Sequence, residues 1–243
     1  MLKIKIALLI LVFLTCYGIA NGKILFVDNF ENDAVGKEPS NWEPLNFAAG
    51  NSKITVEVDP TNPKNKVAKT TGIGLYIPKA AGRENWSDYI WEFDWLWEND
   101  SYVGTIYRVE DAEAHFHGSR RQGGMEIHIY TRKAGAWAQI AAGKYPTENN
   151  VWYSHRLIIN GNKHQIFMKR KDDNTPFEKL KPVVETENDM FKKGPVGMMG
   201  ITTGVSYFDN MVLVENFDDL RVLQPVNHIA KLSTVWGGIK KSR

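Results

Sequence analysis

Residues 91–98 read Trp-Glu-Phe-Asp-Trp-Leu-Trp-Glu, with an aromatic side chain at every odd position and Glu92, Asp94, Leu96 and Glu98 between them. Only a β-strand with one buried face uses period two in this way. Each buried aromatic removes about 150–250 Å² from water, worth roughly 4–6 kcal/mol before entropy is subtracted. The odd face is therefore expected in the core. The even face becomes an acidic strip on a rigid sheet surface, where a β-sandwich could bind or cut a polar ligand.

The chain begins with Lys3 and Lys5, an apolar run from Ile6 to Tyr17, and then the small residues Gly18, Ala20 and Gly22. This pattern predicts a cleaved export leader over 1–22, ending after Ala20 or Gly22. The run is too short to span a bilayer comfortably, so no transmembrane segment is expected in the mature chain. Cys16, the single cysteine, lies inside the leader, which leaves the mature chain without disulfides. Acylation of Cys16 as a lipoprotein is the alternative, but Thr15 is larger than the residue usually found before such a cysteine. Loss of Lys3 and Lys5 from the 30 basic residues balances the 28 acidic ones, and no basic stripe marks a nucleic-acid surface. Location is then periplasmic, cell-surface or secreted; oligomeric state is not legible.

Short alternating or apolar runs follow at Ile24 to Phe30, Lys53 to Val58, Val67 to Thr70, Gly74 to Ile77, Tyr89 to Glu98 and Gly104 to Val109. They continue at Met125 to Thr131, Trp137 to Ala141, Trp152 to Asn160, His164 to Arg170, Val196 to Thr202 and Ser206 to Val214. About a dozen strands at this spacing, with no long helical pattern before residue 220, predict an all-β fold: a two-sheet antiparallel β-sandwich or jelly roll. Asn160-Gly161-Asn162 marks a tight hairpin, while Asp59-Pro60-Thr61-Asn62-Pro63 and Lys193-Gly194-Pro195 read as loops. The expected organisation is a leader over 1–22, a sandwich over 23–216, and a C-terminal tail over 217–243 that is a short amphipathic helix on the domain, a surface-addressing segment or a loosely docked terminus.

Three stretches carry a family resemblance. They are Val27-Asp28-Asn29-Phe30-Glu31 with Gly36, Pro39 and Trp42; Trp152 to Ile159 with Gly161; and Gly194-Pro195-Val196-Gly197 followed by Tyr207-Phe208-Asp209-Asn210-Met211-Val212. In this order they resemble the concanavalin A-like lectin/glucanase jelly roll, in particular its exported laminin-G-like branch and the related 3-keto-disaccharide hydrolase domains. The resemblance implies a carbohydrate partner, a disaccharide or polysaccharide, without fixing a reaction.

Glucanases of that superfamily place Glu-x-Asp-x-Glu on one strand. Here Glu92 and Asp94 are followed by Glu98, so the outer carboxylates lie roughly 20 Å apart along the strand, against about 13 Å for the four-residue spacing. A retaining pair needs about 5–5.5 Å and an inverting pair about 6.5–9.5 Å, which disfavours that mechanism. A cross-strand site is the substitute: if strand 125–131 shares a sheet with strand 89–98, Glu126 and His128 reach Glu92 or Asp94, with Tyr130, Arg108 and Arg156 completing a glycan site. Burial against Tyr130 or Trp152 would then raise a carboxylate toward neutrality for acid–base work. Three readings stay open: glycan recognition on the polar face, a glycoside hydrolase or lyase using Glu92, Asp94, Glu126 and His128, and a structural or adhesion module.

His115 and His117 share one side of a strand, but Gly118-Ser119-Arg120-Arg121-Gln122-Gly123-Gly124 reads as an exposed basic loop rimming the site, and no third residue is spaced for zinc. Arg120 or Arg121 in that loop could meet an anionic group. Asp28 and Asp209, with Glu31 and Asn210, are candidate oxygen ligands for a structural Ca²⁺. Asn85-Trp86-Ser87 and Asn99-Asp100-Ser101 fit the glycosylation triplet and indicate surface loops.

Overall fold

The computed structural model describes residues 23–223 apart from 48, 49, 51, 100–102, 122 and 202; the expected leader and most of the expected tail lie outside the described residues. In chain order the strands are β1 (Ile24–Asp28), β2 (Trp42–Leu45), β3 (Thr55–Asp59), β4 (Asn62–Thr71), β5 (Gly74–Pro78), β6 (Tyr89–Trp97), β7 (Val103–Asp111) and β8 (Ala114–Arg120). They continue with β9 (Glu126–Lys133), β10 (Ala136–Lys144), β11 (Trp152–Asn160), β12 (Lys163–Arg170), β13 (Val184–Glu187), β14 (Gly197–Gly200) and β15 (Val205–Val214), before helix α1 (Phe217–Leu223). Sheet I runs β13-β12-β11-β6-β15-β4-β3, with β1 paired on β15, and sheet II runs β10-β9-β8-β7-β14-β5-β2. Every pairing is antiparallel.

The expected two-sheet sandwich is what forms. Trp91, Phe93, Trp95 and Trp97 are buried between the sheets, in one cluster with Ile127 and Ile129 of β9 and Tyr107 of β7. Trp91 and Phe93 rings lie 4.5 Å apart, Trp95 and Trp97 4.6 Å apart. The hairpin at Gly161 takes the left-handed backbone that its asparagine-glycine sequence favours, φ 58°. A bulge on β15 between Asp209 and Val212, with Asn210 at φ 51°, keeps Phe208, Met211 and Leu213 in the core.

Several stretches refine or correct the sequence expectation. Residues 118–120, read as the start of an exposed basic loop, instead continue the strand of His115 and His117 as buried central β8: Gly118 faces the core, and the Arg120 guanidinium lies 4.9 Å above Trp97, bonded to Thr147, Asn149 and the Asn99 carbonyl. The segment read as a loop around Pro63 is the start of β4, a proline tolerated at the polar end of its strand. Short β2 and β13 border the two sheets. At the start of the expected tail, α1 sets Leu220 against Ile90 and Val214 on the outer face of sheet I. Among the described residues no helix is long and apolar enough to cross a membrane.

Candidate functional site

The acidic strip of β6 faces outward from sheet I, and its carboxylates are held by neighbours. Arg156 stands opposite Glu92 and Ser154 opposite Asp94 in the β11–β6 ladder. The Arg156 guanidinium contacts Glu92 at 2.5 Å and Glu178 at 2.8 Å, between the rings of Phe177 and Phe217 at 4.5 and 5.5 Å. Burial pushes the Glu92 carboxyl up, and Arg156 pulls it back. Asp94 accepts from the Ser154 hydroxyl at 2.7 Å and the Asn210 amide at 2.8 Å, and pairs with Lys171 at 2.8 Å. Asp209, bonded to Asn65 and Asn210, is pushed up to about 7 chiefly by burial, with Lys171 opposing. Glu98 accepts from the Tyr207 hydroxyl at 2.5 Å.

The expected convergence of Glu92 and Asp94 with Glu126 and His128 does not occur. Strands β6 and β9 belong to different sheets and turn their apolar residues toward each other. Their polar faces therefore point away from one another across the sandwich, whose sheets are stacked about 10 Å apart. Arg156 stays with Glu92, whereas Tyr130 stays with His128. Arg108 joins neither face. Its buried guanidinium bonds the carbonyls of Ser87, Phe191 and Gly161 and the Asp88 carboxylate, on one wall of a shallow cavity of about 360 Å³ at the end of the sandwich.

The proposed calcium ligands are likewise apart. Asp28 ties the two sheets together by accepting from Trp42 Nε1, Asn41 Nδ2 and the Phe30 amide, all proton donors where a cation would be needed. Asp209 sits in the network on the outer face of sheet I. Glu31 accepts from the Lys66 amide. No group of three or more histidine, cysteine, aspartate or glutamate side chains among the described residues is arranged to hold a metal.

The outer face of sheet II is different in kind. Three rungs cross β8, β9 and β10: His115–Arg132–Trp137, His117–Tyr130–Gln139 and Ser119–His128–Ala142. His128 lies 2.8 Å from Glu126 through Nε2 and 2.8 Å from Gln139 through Nδ1, stacked on Tyr130 at 5.7 Å. Arg132 pairs with Glu113 and is clasped between the rings of Phe47 and Trp137, 4.7 Å from each. Arg121 lies 5.7 Å over Tyr130. Trp137 is 41% exposed on the edge strand, and Met125 beside the face is 59% exposed.

Beneath Trp137 are His115 and His117, buried with ring centroids 5.8 and 5.3 Å from the indole in edge contacts. Burial holds His115 down to about 4 and His117 down to about 3. His117 lies across Gly104 of β7, where an added Cβ would come within 1.9 Å of its ring. His115 Nε2 and His117 Nδ1 have no hydrogen-bond partner. Sequence reasoning selected Glu126, His128 and Tyr130 on this face but missed Trp137, Gln139 and Arg132; the alternation Trp137-Ala138-Gln139 was the available signal.

No family model and no curated protein sequence matches the chain. Solved structures do match in fold. A carbohydrate-binding module of type CBM66 from Bacillus subtilis superposes with TM-score 0.55 at 16% identity, covering 72% of this chain and 95% of that one. A Bacillus subtilis protein of unknown function with a galectin-like fold gives 0.54 at 12% identity, covering 80% and 98%. Domain 4 of AbnA, an extracellular GH43 arabinanase from Geobacillus stearothermophilus in complex with arabinotriose, gives 0.50 at 10%, covering 80% and 93%. The fold is thus a galectin-like jelly-roll β-sandwich, in agreement with the concanavalin A-like resemblance seen in the sequence.

Proposed function

We propose that this protein is an exported carbohydrate-binding module whose glycan rests on the outer face of β8, β9 and β10. The observation that carries the reading is the half-exposed Trp137 beside Tyr130, with the planar polar groups of His128, Glu126, Gln139 and Arg132 around them. A sugar ring has an apolar C–H face and a rim of hydroxyls. A rigid indole or phenol supplies area for the former at small entropic cost, while carboxylate, amide and imidazole edges meet the latter. The fold neighbours named as carbohydrate-binding or seen with an oligosaccharide support the same partner class, and the leader expected over 1–22 supports export. The outer face of sheet I is the weaker choice, since its carboxylates are already bonded within the protein.

A glycan array followed by calorimetric titration tests this. Trp137→Ala and Tyr130→Ala are expected to weaken binding by about tenfold or more, as loss of a central aromatic contact does. Glu185→Ala, at an exposed position of sheet I, should bind as the wild type does. An array that stays silent, or a Trp137→Ala protein with wild-type affinity, overturns the assignment.

A further inference from the structure

His115 and His117 present buried polar atoms that the fold alone does not account for. Each is buried on the glycan-facing side of sheet II, and each leaves one ring nitrogen without a partner. His115 Nδ1 reaches the Asp111 carbonyl at 3.4 Å, so its partnerless atom is Nε2. His117 is bonded to the backbone at Thr105, so its partnerless atom is Nδ1. Buried polar atoms without partners are rare, and each one calls for an explanation. What covers both rings is the Trp137 indole, on an edge strand that follows a left-handed turn at Ala134 and Gly135, φ 48° and 83°. The cover is itself partly in water, and it touches the imidazoles by edge contacts that satisfy neither nitrogen.

We infer that His115 and His117 are specificity-determining residues for a neutral sugar, whose hydroxyls bond the two unpartnered nitrogens when the Trp137 indole shifts from covering them to stacking on the sugar ring. The inference rests on the glycan reading of this face. A hydroxyl suits the pair because it both donates and accepts, and so meets either imidazole tautomer. A metal cation is disfavoured because burial already disfavours positive charge at both imidazoles, and Arg132 near His115 and Arg121 near His117 add to that in smaller measure. An acidic sugar finds no new cation here, since the imidazoles stay neutral and Arg132 is paired with Glu113. A pocket that places polar atoms where the sugar's hydroxyls fall discriminates strongly against analogues lacking them.

The test is a titration of the full mature chain with neutral oligosaccharides and with uronate oligosaccharides of matched length. His115→Leu and His117→Leu are expected to bind the neutral ligand at least about tenfold more weakly, the size of one lost hydroxyl contact. His115→Gln and His117→Asn, which restore an amide near Nε2 and Nδ1 respectively, should recover part of that affinity. Melting temperatures of the leucine variants should fall only slightly, since each change removes a partnerless nitrogen but also the imidazole's bond to the backbone at Asp111 or Thr105. Histidine ¹⁵N signals of the wild-type protein supply a readout independent of folding in the variants: those of His115 and His117 should move on titration with the neutral sugar. Wild-type affinity in both leucine variants, unmoved ¹⁵N signals, or tighter binding of the uronate would overturn the inference. If those results come with a damaging Trp137→Ala, the glycan face survives alone; if Trp137→Ala and Tyr130→Ala are also silent, both readings fall.

Discussion

The two outer faces of the sandwich both carry polar side chains but follow opposite logic. On sheet I every carboxylate of the β6 strip has found a partner inside the chain: Glu92 with Arg156, Asp94 with Ser154, Asn210 and Lys171, and Glu98 with Tyr207. On sheet II an exposed indole lies over imidazoles with nitrogens that bond nothing. Charge on a sheet surface is therefore a poor guide to a binding site. Unsatisfied hydrogen-bonding capacity beside exposed aromatic area is the better one, because it leaves something for a ligand to complete.

The contrast can be broken experimentally, and the largest effect belongs to the closed face. Arg156→Ala leaves Glu92 buried without its cation, so unfolding in urea should register a loss of about 3–5 kcal/mol while glycan affinity is unchanged. A loss below about 1 kcal/mol would mean that the pair behaves as an ordinary surface ion pair. The second effect is pH. His115 and His117 bind protons at about 4 and about 3 when folded, against 6.5 ordinarily, so the unfolded chain takes up protons first. Their contribution is full above pH 6.5 and is lost as pH falls toward 4, at roughly 2 kcal/mol each by pH 5. Denaturation at pH 7.5 and pH 5 should show a smaller acid loss in the His115→Leu/His117→Leu protein than in the wild type.

Third, Trp137→Ala should lower glycan affinity by about tenfold, equivalent to about 1.4 kcal/mol, and change the unfolding midpoint little, since the indole is partly exposed at a sheet edge. The smallest effect has the opposite pH sign and belongs to sheet I. Asp209 binds its proton at about 7 in the folded chain and at 3.8 ordinarily, so its contribution is present at low pH and lost as pH rises through 7. Asp209→Asn should remove about 1 kcal/mol of wild-type destabilisation between pH 6 and pH 8, measured by thermal melts across that range. An unchanged profile would show that Lys171 keeps Asp209 ionised.

Much of the architecture was legible in the sequence because period-two alternation is local. Trp91 to Trp97 fell on the core side as expected, and β11 has the predicted bounds of Trp152 and Asn160. The end of strand β8 was missed because its composition imitates a loop: Gly118 is small to fit the core, and Arg120 is buried over Trp97 with its donors taken up inside the protein. The site was harder to read for a different reason. Alternation says that Glu92 and Glu126 both point away from the core, but strand order decides which sheet each occupies, and that order is set by contacts between residues far apart in the chain.

Gly104 shows how exposed this arrangement is to small change. The ring of His117 occupies the volume that any side chain at position 104 would need. A single methyl group on β7 would therefore displace part of the floor beneath Trp137 without altering one residue on β8, β9 or β10. Under the glycan reading proposed above, what the face accepts would be governed in part by a residue with no side chain at all, one strand removed from the surface that a ligand would touch.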